Sequence, residues 1–100
     1  MELILKGKEI PEQAGGRKAY ELKGRKLLIE HFVVRVTTPG NPFKPHKHEM
    51  SEVWYILEGQ GLVSLNGQEQ AVEAEDLILL EPWVEHGLRT ESRIKWVCIG

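Results

Sequence analysis

Residues 40–59 read GNPFKPHKHEMSEVWYILEG. Within them one residue separates His46 from His48, and Glu52 follows four positions after His48. In an extended strand successive side chains alternate between faces, so the two imidazoles point the same way, about 6–7 Å apart along the chain. At that separation both rings can lean toward one divalent ion, whose bonds to imidazole nitrogen are about 2.0–2.1 Å. A carboxylate beside them completes two nitrogens and one oxygen, the donor set of facial sites that keep coordination positions free for substrate or oxygen. The first expectation is a mononuclear metal site.

A His-x-His pair on its own is ordinary solvated sequence. This one has company: Gly40 lies six residues before His46, Gly59 seven after Glu52, and His86 follows downstream. The fourth histidine, His31, sits in the apolar run LLIEHFVVRV and reads as a strand residue rather than a ligand.

Together these residues resemble the first motif of the cupin superfamily, G-x5-H-x-H-x3-E-x6-G, at every fixed position: Gly40, His46, His48, Glu52 and Gly59. The second motif, G-x5-P-x-G-x2-H-x3-N, is matched by His86 alone. Glu75 and Trp83 stand at its glycine positions, Glu81 at its proline position with Pro82 one place beyond, and Thr90 at its asparagine position. Asp76 supplies the acidic residue that often follows the first glycine. The resemblance implies an all-β, antiparallel double-stranded β-helix or jelly-roll barrel with little or no helix, and one domain over residues 1–100. An N-terminal strand and loops would occupy residues 1–25, and the two motifs residues 40–59 and 75–90. It also implies one divalent transition metal per chain, held by His46, His48, Glu52 and His86. Mixed imidazole–carboxylate donors accept Fe, Mn, Ni, Co, Cu or Zn, so the ligands do not choose among them.

The residue pattern away from the motifs agrees with a β fold. Short β-branched and aromatic runs are expected as strands at 2–5, 19–22, 26–38, 53–57, 61–65, 68–72, 76–80, 85–90 and 93–99, with turn signals between them. Asn66-Gly67 is the strongest two-residue hairpin signal available, because both turn positions need positive φ. Gly40 and Gly59 are expected to serve turns.

Alternation then predicts the pocket wall. If Glu52 faces inward, so do Trp54 and Ile56; if His86 does, so do Val84, Leu88 and Thr90. Ligating histidines usually donate their other N–H to an acceptor, and Glu49, Glu81 and Glu85 are candidates, with Trp83 placed to cover the mouth. Arg35 is expected as an outward polar residue, the competing reading being an anion-binding group inside the barrel. Cys98, in the strand-like IKWVCI, is expected as a buried inert thiol.

Composition narrows the function classes. A net charge of −2 and dispersed basic residues give no reason to expect nucleic acid or an anionic membrane as partner. No apolar run approaches a bilayer span, and one cysteine excludes an intrachain disulfide and suits a reducing cytoplasm. The expected partner is a small-molecule substrate or ligand, together with a second copy of the chain in a homodimer, to which the ELIL segment could add an edge strand. Cupins that the chain resembles include dioxygenases, isomerases and decarboxylases acting on small carbonyl, acidic or enediol-type metabolites. The family also includes non-catalytic modules that bind sugars or effectors, which is the alternative. No general acid or base stands out beyond the metal set, so no catalytic side chain is assigned.

Overall fold

One strand of fourteen residues organises the chain. In the computed structural model, which describes residues 3–100, the strands are β1 Lys18–Tyr20, β2 Phe32–Thr37, β3 Phe43–His46, β4 Glu52–Leu65, β5 Gln68–Glu73, β6 Leu77–Leu80, β7 His86–Arg89 and β8 Ile94–Ile99. All their pairings are antiparallel. The first half of β4 lies between β6 and β8, and β2 and β1 continue beyond β8. Its second half lies between β5 and β7, and β3 continues beyond β7. β4 therefore belongs to both walls of a curled, all-β jelly-roll barrel. The only helical pieces among the described residues are two single 3-10 turns, Gly7–Glu9 and Ala14–Gly16, and no helix there is long and apolar enough to cross a membrane.

β4 crosses from one wall to the other at Gly59. The register against β8 shifts between Ile56 and Glu58, and Gly59 follows with φ +87°. A Cβ at Gly59 would fall 2.2 Å from the Arg93 carbonyl oxygen, so a side chain is excluded by space as well as by backbone conformation. The two strands expected at 53–57 and 61–65 are thus one strand with a glycine corner, not two strands joined by a turn. Gly40 has no positive φ and nothing within 4 Å of an added Cβ, so its position makes no demand for glycine.

Strand alternation places the core. Trp54 and Ile56 on β4, Ile78 and Leu80 on β6, and Ile94, Trp96 and Cys98 on β8 are buried, while Leu77 and Leu79 point to solvent. The Trp54 and Trp96 rings lie 4.2 Å apart, and Phe43 stands edge-on to both. A buried indole N–H needs an acceptor; Trp96 Nε1 donates to Thr37 Oγ1 at 3.0 Å. Removing either tryptophan would cost about 3–5 kcal/mol in transfer and cavity terms.

Several expected strands shorten. Residues 26–31 form no strand, because β8, the partner of β2, runs out at Ile99. Gly100 then closes that edge by hydrogen bonds between its backbone and those of Glu30 and His31, and Leu27 and Leu28 are left exposed. The expected strand at 2–5 is absent over residues 3–5, and Glu2 lies outside the described residues. The Asn66-Gly67 hairpin forms as expected, with φ +50° and +84°. Glu75 and Trp83 also have positive φ, +77° and +68°. The backbone keeps the left-handed turns of the second motif although neither residue is glycine.

Candidate metal centre

Three strand ends meet at the site. β3 ends on His46, the following loop carries His48, β4 begins at Glu52, and β7 begins at His86. His46 and His86 are directly paired across β3 and β7, which puts both rings on one face of the ladder. Their ring centroids are 4.5 Å apart, and His48 closes the triangle at 5.5 Å from His46 and 4.9 Å from His86. One ring nitrogen from each of the three lies within 4.8 Å of the other two.

Local hydrogen bonds identify those nitrogens. His46 Nδ1 meets the Lys44 carbonyl at 3.1 Å, His48 Nδ1 the Met50 carbonyl at 2.7 Å, and His86 Nδ1 the Val84 carbonyl at 2.7 Å. A carbonyl can only accept, so each Nδ1 is the donor, and in the neutral ring Nε2 keeps the lone pair. Backbone carbonyls two residues away thus orient the rings, in the place where Glu49, Glu81 or Glu85 was expected. Glu81 is exposed, and its own contact is a backbone one, with Val84 N donating to its carbonyl at 3.3 Å.

Glu52 stands beside two of the three rings. Its Oε1 is 3.7 Å from His48 Nε2 and 3.8 Å from His86 Nε2. Around an octahedral ion with bonds of about 2.1 Å, donors stand about 3.0 Å apart when adjacent and about 4.2 Å when opposite, spacings between which Glu52 Oε1 stands from His48 and His86; within 4.8 Å of one another the possible donors fall into two groups, His46, His48 and His86 in one and His31, Glu52 and Cys98 in the other. His86 Nε2 supplies the test of fit. It is buried and has no hydrogen-bond partner, a situation that ordinarily costs about 1–3 kcal/mol and that a cation at this point would relieve. Burial holds the His86 pKa below its ordinary value, despite the opposing pull of the Val84 carbonyl, so the ring stays neutral and able to ligate.

Spacing did not reveal what lies behind Glu52. His31 Nε2 is 3.1 Å from Glu52 Oε2. Cys98 Sγ lies 3.4 Å from His31 Nε2 and within 4.8 Å of the same carboxylate. Trp54 Nε1 donates to Oε1 at 3.2 Å. Burial pushes the Glu52 pKa up, but the donors Cys98 and Trp54, with His48 and His31 nearby, outweigh it, and the net shift is downward. His31 is therefore a partner of the site's carboxylate and not a lone strand residue. Both of its closest contacts fall on Nε2, so Cys98, His31 and Glu52 do not form a relay in which imidazole bridges thiol and carboxylate. Cys98 is buried as expected, and burial pushes its thiol up to about 12.

The expected pocket wall separates into three parts. Trp54 lies edge-on beneath His86, centroids 5.2 Å apart, and Phe43, which alternation missed, packs on His46 at 4.9 Å. Ile56 and Leu88 fill the barrel interior, with half-buried Val84 against it. Thr90 is displaced from the imidazoles. It sits four residues, about 13 Å along the chain, past His86, binds the Gln60 carbonyl, and lines a separate cavity of about 570 Å³ with Glu73, Arg89 and Ser92. The Trp83 indole is exposed beside the His48 loop, to which its backbone N–H is tied by a 2.9 Å bond to the His48 carbonyl.

Comparison with known proteins agrees with this architecture. The family profile for the cupin domain matches residues 33–100. The chain belongs to the cupin family. An uncharacterized protein of Methanocaldococcus jannaschii is 33% identical over 73 residues, 72% of this cupin; that stretch spans 56% of the relative's own length. Among solved structures, a predicted oxalate decarboxylase of Thermotoga maritima superposes with TM-score 0.81 at 19% identity, covering 97% of this chain and 96% of that one. An RmlC-like cupin of Shewanella frigidimarina gives TM-score 0.77 at 21% identity over 99% and 89% of the two chains. At such identities the likeness carries the fold alone.

Proposed function

We propose that this cupin binds one divalent transition metal through His46, His48, Glu52 and His86 and acts on a small carbonyl, acidic or enediol-type metabolite. One observation carries the reading. Three imidazoles, each locked by a backbone carbonyl on Nδ1, turn their Nε2 lone pairs to one place beside Glu52 Oε1. A bound ion would supply Lewis acidity to a substrate oxygen. The protein's own part is to hold three neutral donors, balance part of the cation's charge with Glu52, and wall off one side of the site with Trp54 and Phe43.

A second reading, a non-catalytic binder of a small sugar or effector, draws support from the packed interior, where Trp54, Ile56 and Trp96 are fully buried directly below the imidazoles. Elemental analysis should find about one divalent metal per chain in the wild type and none in His48→Ala; equal metal in both ends the metal reading. With metal-loaded protein, oxygen consumption and carbonyl–enediol exchange, measured aerobically and anaerobically, separate enzyme from binder. We place the protein in the cytoplasm and expect a homodimer. The outward leucines Leu57, Leu77 and Leu79 support pairing, and a monomer mass of 11.4 kDa by light scattering would count against it.

A further inference from the structure

Arg35 points into the barrel, the alternative to the outward placement expected from its apolar sequence neighbours. It is paired with Trp96 across β2 and β8, and its guanidinium carbon lies 5.0 Å from the Phe43 centroid and 6.0 Å from that of Trp96. Other arginines find acceptors: Arg89 on Glu69, Arg93 on Glu58, Arg17 on Gln13. Arg35 has no hydrogen-bond or ion-pair acceptor among the described residues, and its Nε is buried. The residue is half-buried, and a donor withdrawn from water, as Nε is here, is costly unless it is paired.

The setting makes the missing acceptor more telling. Arg35 and Arg17 together line a cavity of about 120 Å³ whose wall also includes Gly15, Thr37, Asn41 and Phe43. Burial first, and then the Arg17 charge, weigh against the protonated form of Arg35. Glu52 is the nearby acid, but its oxygens are taken up by His31, Trp54 and the imidazoles. Two arginines that line one small cavity repel each other and both attract an oxyanion, which the planar N–H fork of arginine binds in bidentate fashion. A cavity of about 120 Å³ has room for a small anionic head.

We propose that Arg35, with Arg17 opposite it, forms an oxyanion-binding site one phenyl ring from the metal centre, and that it takes the carboxylate or phosphate head of a small ligand. This deepens the preceding reading, because it gives the ligand a negative charge, yet the binding itself needs no metal. Phe43 links the two places: the Arg35 guanidinium lies over its ring, and His46 packs against the same ring.

The test uses the chelator-treated protein at constant ionic strength, titrated calorimetrically with acetate, malonate and inorganic phosphate. Saturable binding of at least one probe is expected, the carboxylates and phosphate arms distinguishing the head group. Arg35→Met keeps an apolar stem over Phe43 without the charge and should weaken binding at least tenfold; Arg17→Gln should weaken it several-fold; the surface control Arg93→Gln should leave it unchanged. If Arg35→Met does not fold, the Arg17→Gln comparison decides. Absence of saturable binding for all three probes, or equal affinity in wild type and the Arg35 and Arg17 variants, overturns the proposal. Metal content is measured separately on the same proteins. Anion binding without metal uptake would sink the metal reading and leave this site standing; metal uptake without anion binding would do the reverse.

Discussion

Replacing Gly59 by alanine tests the corner that sets Glu52 and His86 in register. Gly59 has φ +87°, where an L-residue pays about 1–2 kcal/mol. The added Cβ would also lie 2.2 Å from the Arg93 carbonyl oxygen and 3.1 Å from Ile94 Cα. Both atoms belong to backbone joined to β4 by the Gly59–Ile94 pairing, so neither can swing away as a flexible side chain would. Overpacking of this kind costs about 1–3 kcal/mol. Alanine restricts the unfolded chain and returns about 0.4–1 kcal/mol. The net loss is about 1–5 kcal/mol, and at 4–8 °C per kcal/mol the unfolding midpoint should fall by roughly 4–40 °C. Two other glycines divide the cost. Gly24 has φ +81° with nothing within 4 Å, so Gly24→Ala should show the backbone term alone, about 1 kcal/mol. Gly40→Ala, with neither constraint, should stay within about 0.5 kcal/mol of wild type. Urea unfolding followed by circular dichroism, in chelator so that bound metal does not add stability, gives all three values. A Gly59→Ala loss no larger than that of Gly24→Ala would refute the steric argument, and no loss at all would refute the corner.

Three further outcomes are expected. His31→Ala should lower metal affinity by about 10–100-fold in a chelator-competition titration, because Glu52 Oε2 loses the partner that orients it; unchanged affinity would show that His31 does not position the carboxylate. The metal-free protein should lose stability as pH falls from about 6.5, since the unfolded chain then protonates His86 while burial keeps the folded ring neutral down to its lowered pKa; a His86→Gln variant should lack that slope between pH 7 and 5.5, and identical slopes would contradict it. Cys98, with its thiol raised from 9.0 to about 12, should react with a disulfide reagent at pH 8 about a thousandfold more slowly in the folded protein than in urea; a folded-state rate within tenfold of the unfolded one would argue against burial.

Near neighbours in the chain were enough for the pairing of His46 with His48, the hairpin at Asn66-Gly67 and the β class. Each rests on the period of a strand or the backbone demands of a turn, which a few adjacent residues specify. His46-x-His48, four positions from Glu52, could be read because one loop carries the whole set, and His86 because a motif gave its distance. Other features depend on which strands lie side by side, and spacing carries no record of that. His31 meets Glu52 because Gly100, sixty-nine positions away, closes the edge beside it. Arg35 faces inward because β2 pairs with β8 in the register that sets it against Trp96, although its apolar neighbours in sequence suggested a polar residue turned to water. Thr90 is buried, as alternation from His86 predicts, but it lies four residues farther along the chain and binds the Gln60 carbonyl, so it shares no wall with the imidazoles. Burial, pairing and the direction of a charge are properties of contacts between distant segments, and so they came into view only once the barrel was closed.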